Sequence, residues 1–150
     1  VALHWDTLPA SGLARAVVID TNIVLDLLLF VDLSTVGVHT LLRHKQLCWI
    51  ATGAMREELA CVLTYAHLQQ HMQRQGKSAV QLLAVFDAAV QLCPIAAPAP
   101  WACADADDQK FIDLAAAHRA ILLSKDKAVL RLRKKLAMLG TTVVSSIVFT

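Results

Sequence analysis

Four carboxylates fall where the chain changes from one local pattern to another. Asp20 directly follows the apolar run Val17-Val18-Ile19 and precedes Thr21 and Asn22. Glu58 lies inside an amphipathic stretch, and Asp108 opens another one behind Asp105-Ala106-Asp107. Asp126 closes Leu122-Leu123-Ser124-Lys125-Asp126. An acid at the carboxyl end of a parallel strand sits where open α/β sheets place their ligands. If the strands before Asp20 and Asp126 run parallel, those two acids share an edge. Asp108 and Glu58 join them when their helices pass it. Carboxylates gathered this closely raise one another's pKa unless cations neutralise them. Such hard oxygen donors suit Mg2+ or Mn2+. Divalent ions bridging them can activate water and stabilise the leaving oxygen of a phosphodiester.

Each acid also has a purely structural reading. Asp20 or Thr21 can cap the following helix, and Asp126 can sit at a helix start for its dipole with Ser124 capping. Asp105 to Asp108 resembles an N-terminal capping pattern, and Asp107 reads as a solvated acid. Glu57 and Glu58 are adjacent, so at most one of them points inward. The order and joint placement of the acids, more than any single one, carry the chemical reading.

The elements that must position them can be read from periodicity. Strands are expected over 16–20, 47–51, 121–123 and 142–144, each a short apolar run. Helices are expected over 22–31, from Ser34 or Thr35 to His44 despite Gly37, from Thr52 or Gly53 to Leu63, and over 79–92, 107–118 and 127–139. Residues 69–78 are polar and broken by Gly76. Pro94, Pro98 and Pro100 make 93–104 a connector that cannot continue a helix and delivers the chain to the acids. Residues 1–14, with Pro9, Ser11 and Gly12, read as a loosely held lead-in, and 15–150 as a single domain. Strands alternating with helices predict an α/β fold, a three-layer α/β/α arrangement around a mainly parallel sheet of four to five strands.

The 150 residues are 57% hydrophobic, with a mean hydropathy of +0.54. No run approaches the roughly 18 uninterrupted apolar residues of a membrane span, since Asp26 and Asp32 break the longest one. A filled core together with a buried subunit interface accounts for the surplus, so a homodimer and no membrane are expected. Net charge is only +2, but its distribution is uneven. Of the 14 Lys and Arg, six lie between Lys125 and Lys135, and four acids lie in 105–113. Lys125, Lys127 and Arg131 are the candidates for binding a polyanion's phosphates, although one helix cannot point all six cations the same way. Cys48, Cys61, Cys93 and Cys103 lack C-x-x-C spacing. Cys48 and Cys61, in apolar surroundings, are expected to be buried thiols, which predicts a reduced, cytoplasmic protein. The start lacks a basic segment followed by an apolar one, so no secretory leader is expected. His67 and His71 are four apart in a helical register, but without an H-E-x-x-H frame they read as a polar face. Trp5, Trp49 and Trp101 read as core or interface residues.

Taken together, these stretches resemble the PIN domain, a family of metal-dependent ribonucleases. Asp20-Thr21-Asn22 after a short strand looks like the family's opening motif. Met55-Arg56-Glu57-Glu58-Leu59 is similar to its Glu-Leu on the helix after strand two. Asp108-Gln109-Lys110-Phe111-Ile112-Asp113-Leu114-Ala115 resembles its acid-led helix, and Leu123-Ser124-Lys125-Asp126 its strand followed by Ser/Thr-x-Asp. Spacings of 38 residues from Asp20 to Glu58 and 18 from Asp108 to Asp126 fit the family's layout. The resemblance spans roughly residues 15–146. Asp105-Ala106-Asp107-Asp108 and the proline-rich approach look like a bacterial subgroup of toxin components.

The resemblance implies that Asp20, Glu58, Asp108 and Asp126 hold one or two Mg2+ or Mn2+ ions, with Asp105 as an extra acid. It implies that Asn22 orients Asp20 and a metal-bound water, and that Ser124 contacts Asp126 or the substrate phosphate. The implied reaction is RNA hydrolysis to a 5′-phosphate and a 3′-hydroxyl without a covalent intermediate. The implied assembly is a homodimer restrained by a small antitoxin. In segment 64–104 no motif fixes an alignment. Two competing readings are an aspartyl-phosphate phosphatase and a catalytically silent binding module. The first normally needs a second Asp where Asn22 stands, and a pure binding module need show no response to divalent ions. No G-x-G-x-x-G follows the first strand, which disfavours a dinucleotide-binding fold.

Overall fold

The computed structural model describes residues 1–5 and 14–149; Pro9, Ser11 and Gly12 of the expected lead-in lie outside the described residues. Strand β1 is Ala2–Trp5, β2 Arg15–Ile19, β3 Leu47–Ala51, β4 Val90–Leu92, β5 Ile121–Leu123, β6 Thr142–Val144 and β7 Ser146–Phe149. The central sheet has five strands in the order β4-β3-β2-β5-β6, all parallel, and is flanked by helices in a three-layer α/β/α arrangement. Burial on both faces explains the unbroken apolar runs. Val17, Val18, Ile121, Leu122 and Leu123 are fully buried. Beside them, Trp49 meets Phe86 edge-on at 5.2 Å between ring centroids.

Strand β4 occupies an edge that the sequence pattern assigns to a helix. Helix α5, Ala79–Ala89, ends before Val90, and Val90, Gln91 and Leu92 pair with Trp49, Ile50 and Ala51. The apolar positions of 79–92 suit a helix throughout, so only the sheet partner ends it. Helix α4, Ala66–Arg74, likewise runs through residues that read as polar and broken. Leu68 and Met72, one turn apart, are its buried contacts.

Elsewhere the expected helices form with altered ends. Helix α1, Thr21–Leu25, continues as a π turn, Asp26–Phe30. Helix α2, Val36–Arg43, follows a 3-10 turn capped by Asp32. Helix α3, Gly53–Val62, starts behind Thr52, whose Oγ1 accepts from Met55 N–H. Helix α6 is Gln109–His118. The basic segment divides into α7, Lys127–Leu130, and α8, Arg133–Ala137, with Leu132 N–H turning to Val129 O at 3.0 Å. Its cations are therefore spread over two short helices.

The first residues are not loose. β1 pairs in parallel with β7, from Ala2 with Ser146 to Trp5 with Phe149, as a second, two-stranded sheet. Gly37 lets α2 pack against β7, because a Cβ there would lie 2.1 Å from Ile147 O. All four cysteines are free thiols; Cys61 is exposed and Cys48 only half-buried, contrary to their expected burial. Leu59 and Leu63, two positions to either side, are the buried residues of that turn, so Cys61 falls on the opposite face. Among the described residues no single helix is long and apolar enough to cross a membrane.

Candidate functional site

The register of the central strands sets the site. Ile19 pairs with Leu123, and Asp20 N–H continues the ladder to Leu123 O at 2.9 Å. Asp20 and Ser124 therefore leave the sheet side by side, at the carboxyl edge. Ser124 is fully buried; its hydroxyl donates to Asp20 Oδ2 at 2.8 Å and accepts from Asp126 N–H at 3.1 Å. Asp126 caps α7, its Oδ1 accepting from Ala128 N–H at 2.8 Å.

Asp108 reaches the same edge from the end of a 3-10 turn, Ala106–Asp108, capped by Asp105, whose Oδ1 accepts from Asp107 N–H at 3.0 Å. The proline-rich connector is fastened over α6 by polar clamps. Gln109 Oε1 accepts from Cys103 N–H at 2.6 Å, and Asp113 Oδ1 accepts from Ala99 N–H at 2.8 Å. Asp105, Asp108 and Asp126 each place a carboxylate oxygen within 4.8 Å of the others'. Asp108 Oδ2 is buried and has no hydrogen-bond partner among the described residues. A buried acceptor without a donor is costly; a proton, which lets Asp108 hydrogen-bond to Asp126, or a cation relieves it.

Electrostatics agree. Burial pushes the Asp108 carboxyl up to about 7, assisted by the charges of Asp20, Asp126 and Asp105. Burial also raises Asp20, with the charges of Glu58 and Asp126 adding to it, while hydrogen bonds from Ser124 and Thr21 N–H oppose the shift. The acids thus form one electrostatically linked edge. An oxygen-only donor set, mutual repulsion and an orphaned buried oxygen fit a hard divalent cation.

Glu58 stands beside the three-acid group. It is half-buried, whereas its neighbour Glu57 is exposed. Thr21 Oγ1 donates to Glu58 Oε2, and Lys110 Nζ donates to Oε1 at 3.0 Å. Asn22 is exposed in the first turn of α1, and the hydroxyl that reaches Asp20 is Ser124's. Lys125 donates to the buried Asp26 on the π turn, while Lys127 and Arg131 are exposed. Trp101 is half-buried in the connector, its carbonyl accepting from Gln109 Nε2 at 3.2 Å. His71 packs edge-on against Phe30 and His67 is exposed, as expected of a polar face.

Sequence reasoning passes over Thr21 and Lys110 as site residues. Both pair with Glu58, across 37 and 52 residues of chain, distances at which local pattern carries no information. One signal was present: Lys110 puts a cation in the first turn of α6, where the helix dipole favours an acid. Such a misplacement implies a tertiary acid nearby.

A family model described as PIN domain matches residues 16–128, which include Asp20, Glu58, Asp105, Asp108, Ser124 and Asp126. Among curated proteins, none matches the chain.

Proposed function

Since the chain belongs to the PIN-domain family, whose members are generally metal-dependent nucleases, we propose that it is an endoribonuclease dependent on Mg2+ or Mn2+, and the toxin of a toxin–antitoxin pair. The observation that carries this reading is the buried, unpartnered Asp108 Oδ2 within a three-carboxylate group at the sheet's carboxyl edge. Asp105, Asp108 and Asp126 would hold the ion, with Asp20 and Glu58 adjoining. When bound, the ion supplies an activated water and charge stabilisation for the departing oxygen.

The chain's own groups prepare that site. Ser124 fixes the orientation of Asp20, and Thr21 fixes that of Glu58. Asp126 is anchored through its capping bond to α7. Lys127 and Arg131, exposed on and just beyond that helix, would hold backbone phosphates by charge rather than by sequence. Lys125 can join them only by releasing Asp26. The toxin assignment rests on the resemblance of Asp105-Ala106-Asp107-Asp108 and its proline-rich approach to that subgroup. An RNA substrate, a small antitoxin partner, a homodimer and a cytoplasmic setting belong to the same proposal.

The test is incubation of single-stranded RNA with the wild type and with Asp20→Asn, in Mg2+, Mn2+ or EDTA. Cleavage should require the divalent ion, leave 5′-phosphate ends and fall at least about a hundredfold in the variant. The introduced amide cannot ionise, so the variant's thermal midpoint in EDTA should not fall. Unimpaired cleavage by a folded Asp20→Asn protein would sink the proposal.

A further inference from the structure

Glu58 differs from the three-acid group in already carrying a protein cation. Lys110 Nζ lies 3.0 Å from its Oε1, and the two side chains are only 27% and 29% exposed. The ammonium is also held by Asp107 O at 2.5 Å and lies 5.0 Å from the centroid of the Phe111 ring. The first turn of a helix repels a cation, so Glu58 and the Asp107 carbonyl must hold Lys110 there. The charge it offsets is one that Asp20 feels directly.

We propose that Lys110 is an internal counter-cation of the acid edge, occupying Glu58 in the metal-free protein and competing with a divalent ion for that carboxylate. The inference rests on the metal-dependent reading above. Both oxygens of Glu58 are engaged, one by a neutral hydroxyl and one by an ammonium. A cation that recruits Glu58 can leave the Thr21 hydroxyl in place, but it repels Lys110 at the same carboxylate. Asp107 O and the Phe111 face then keep the displaced ammonium at the rim of the site. Lys110 is thus a positioning residue: it limits charge repulsion while no ion is bound and sets how tightly one is taken up.

Calorimetric titration of Mn2+ into the full chain tests this, using wild type, Lys110→Met, Lys110→Gln and Lys110→Arg, with thermal midpoints measured in EDTA. Both neutral variants should bind Mn2+ about two- to fivefold more tightly, the range set by a partly exposed ion pair. Their EDTA midpoints should fall by up to about 4 °C. Lys110→Arg should restore both values towards wild type. Equal or weaker Mn2+ binding by the folded neutral variants overturns the counter-cation role, while leaving the metal-dependent reading standing. A wild type that takes up no Mn2+ overturns both.

Discussion

Replacing Asp108 by Asn should stabilise the metal-free protein at pH 8 and leave it nearly unchanged at pH 4. The Asp108 carboxyl is pushed up to about 7, first by burial and then by the charges of Asp20, Asp126 and Asp105. In an unfolded chain the same group titrates at about 4. Between those values the folded protein keeps a proton that the unfolded chain has released. Metal-free stability therefore falls as pH rises from about 4 to about 7, and the whole penalty is present above that window. Each pKa unit is worth about 1.4 kcal/mol, which sets a ceiling of about 4 kcal/mol on the cost of ionising Asp108. The cluster opens to solvent at the exposed Asp105, and screening there reduces the expected cost to about 1–2 kcal/mol. For a chain of this size that is about 2–8 °C in the midpoint. The assay is thermal unfolding in EDTA at pH 4 and pH 8, reading the midpoint of Asp108→Asn minus that of wild type. The difference should grow by about 2–8 °C at the higher pH. Adding Mn2+ at pH 8 should then raise the wild type and leave the variant almost unmoved. A difference that is the same at both pH values would refute the argument that Asp108 bears an ionisation penalty.

Two further substitutions probe the frame that carries the acids. Ser124→Ala removes the donor to Asp20 and the acceptor of Asp126 N–H; it should cost about 1–3 kcal/mol, and an unchanged melting curve would argue that the two groups find other partners. Gly37→Ala places a Cβ 2.1 Å from Ile147 O and should cost about 1–3 kcal/mol. Gly53→Ala meets nothing within 4 Å and should be neutral or stabilising by up to about 1 kcal/mol. Equal melting points for these two variants would contradict the close approach of α2 to β7.

What could be read before the structure was known follows the range of the interactions. Val17 to Ile19 and Ile121 to Leu123 announce buried strands through side chains alone, and the acids behind them announce an edge. The paired acids and Ser124 are legible because each is tied to an element end within a few residues. β4 is not, because Val90-Gln91-Leu92 continues a helical apolar pattern and becomes a strand only beside Trp49 to Ala51. β1 and β7 are not, because β1 is a half-exposed four-residue strand and its partner lies at the far end of the chain. The grip of Thr21 and Lys110 on Glu58 is a third case of the same kind. Asn22 illustrates the converse: its place in the motif is plain, yet in the fold it is exposed.

The edge divides by how firmly its acids are held. Asp20, Ser124 and Asp126 inherit their positions from strand register, and a slip of one residue between β2 and β5 would turn Ser124 to the opposite face. Backbone bonds from Asp20 N–H to Leu123 O and from Ser124 N–H to Val144 O, at 2.9 and 3.0 Å, hold the register on both sides of β5. Asp105 and Asp108 instead arrive through a connector rich in proline, which has few backbone donors and cannot settle into a ladder. Gln109 and Asp113 supply the missing constraints by gripping Cys103 and Ala99 from α6. Those clamps sit on the helix that also carries Lys110, so one element sets the reach of Asp105 and Asp108 and the counterion of Glu58. The strand-borne acids provide a fixed floor, and α6 carries both the clamps on the connector and the counterion of Glu58.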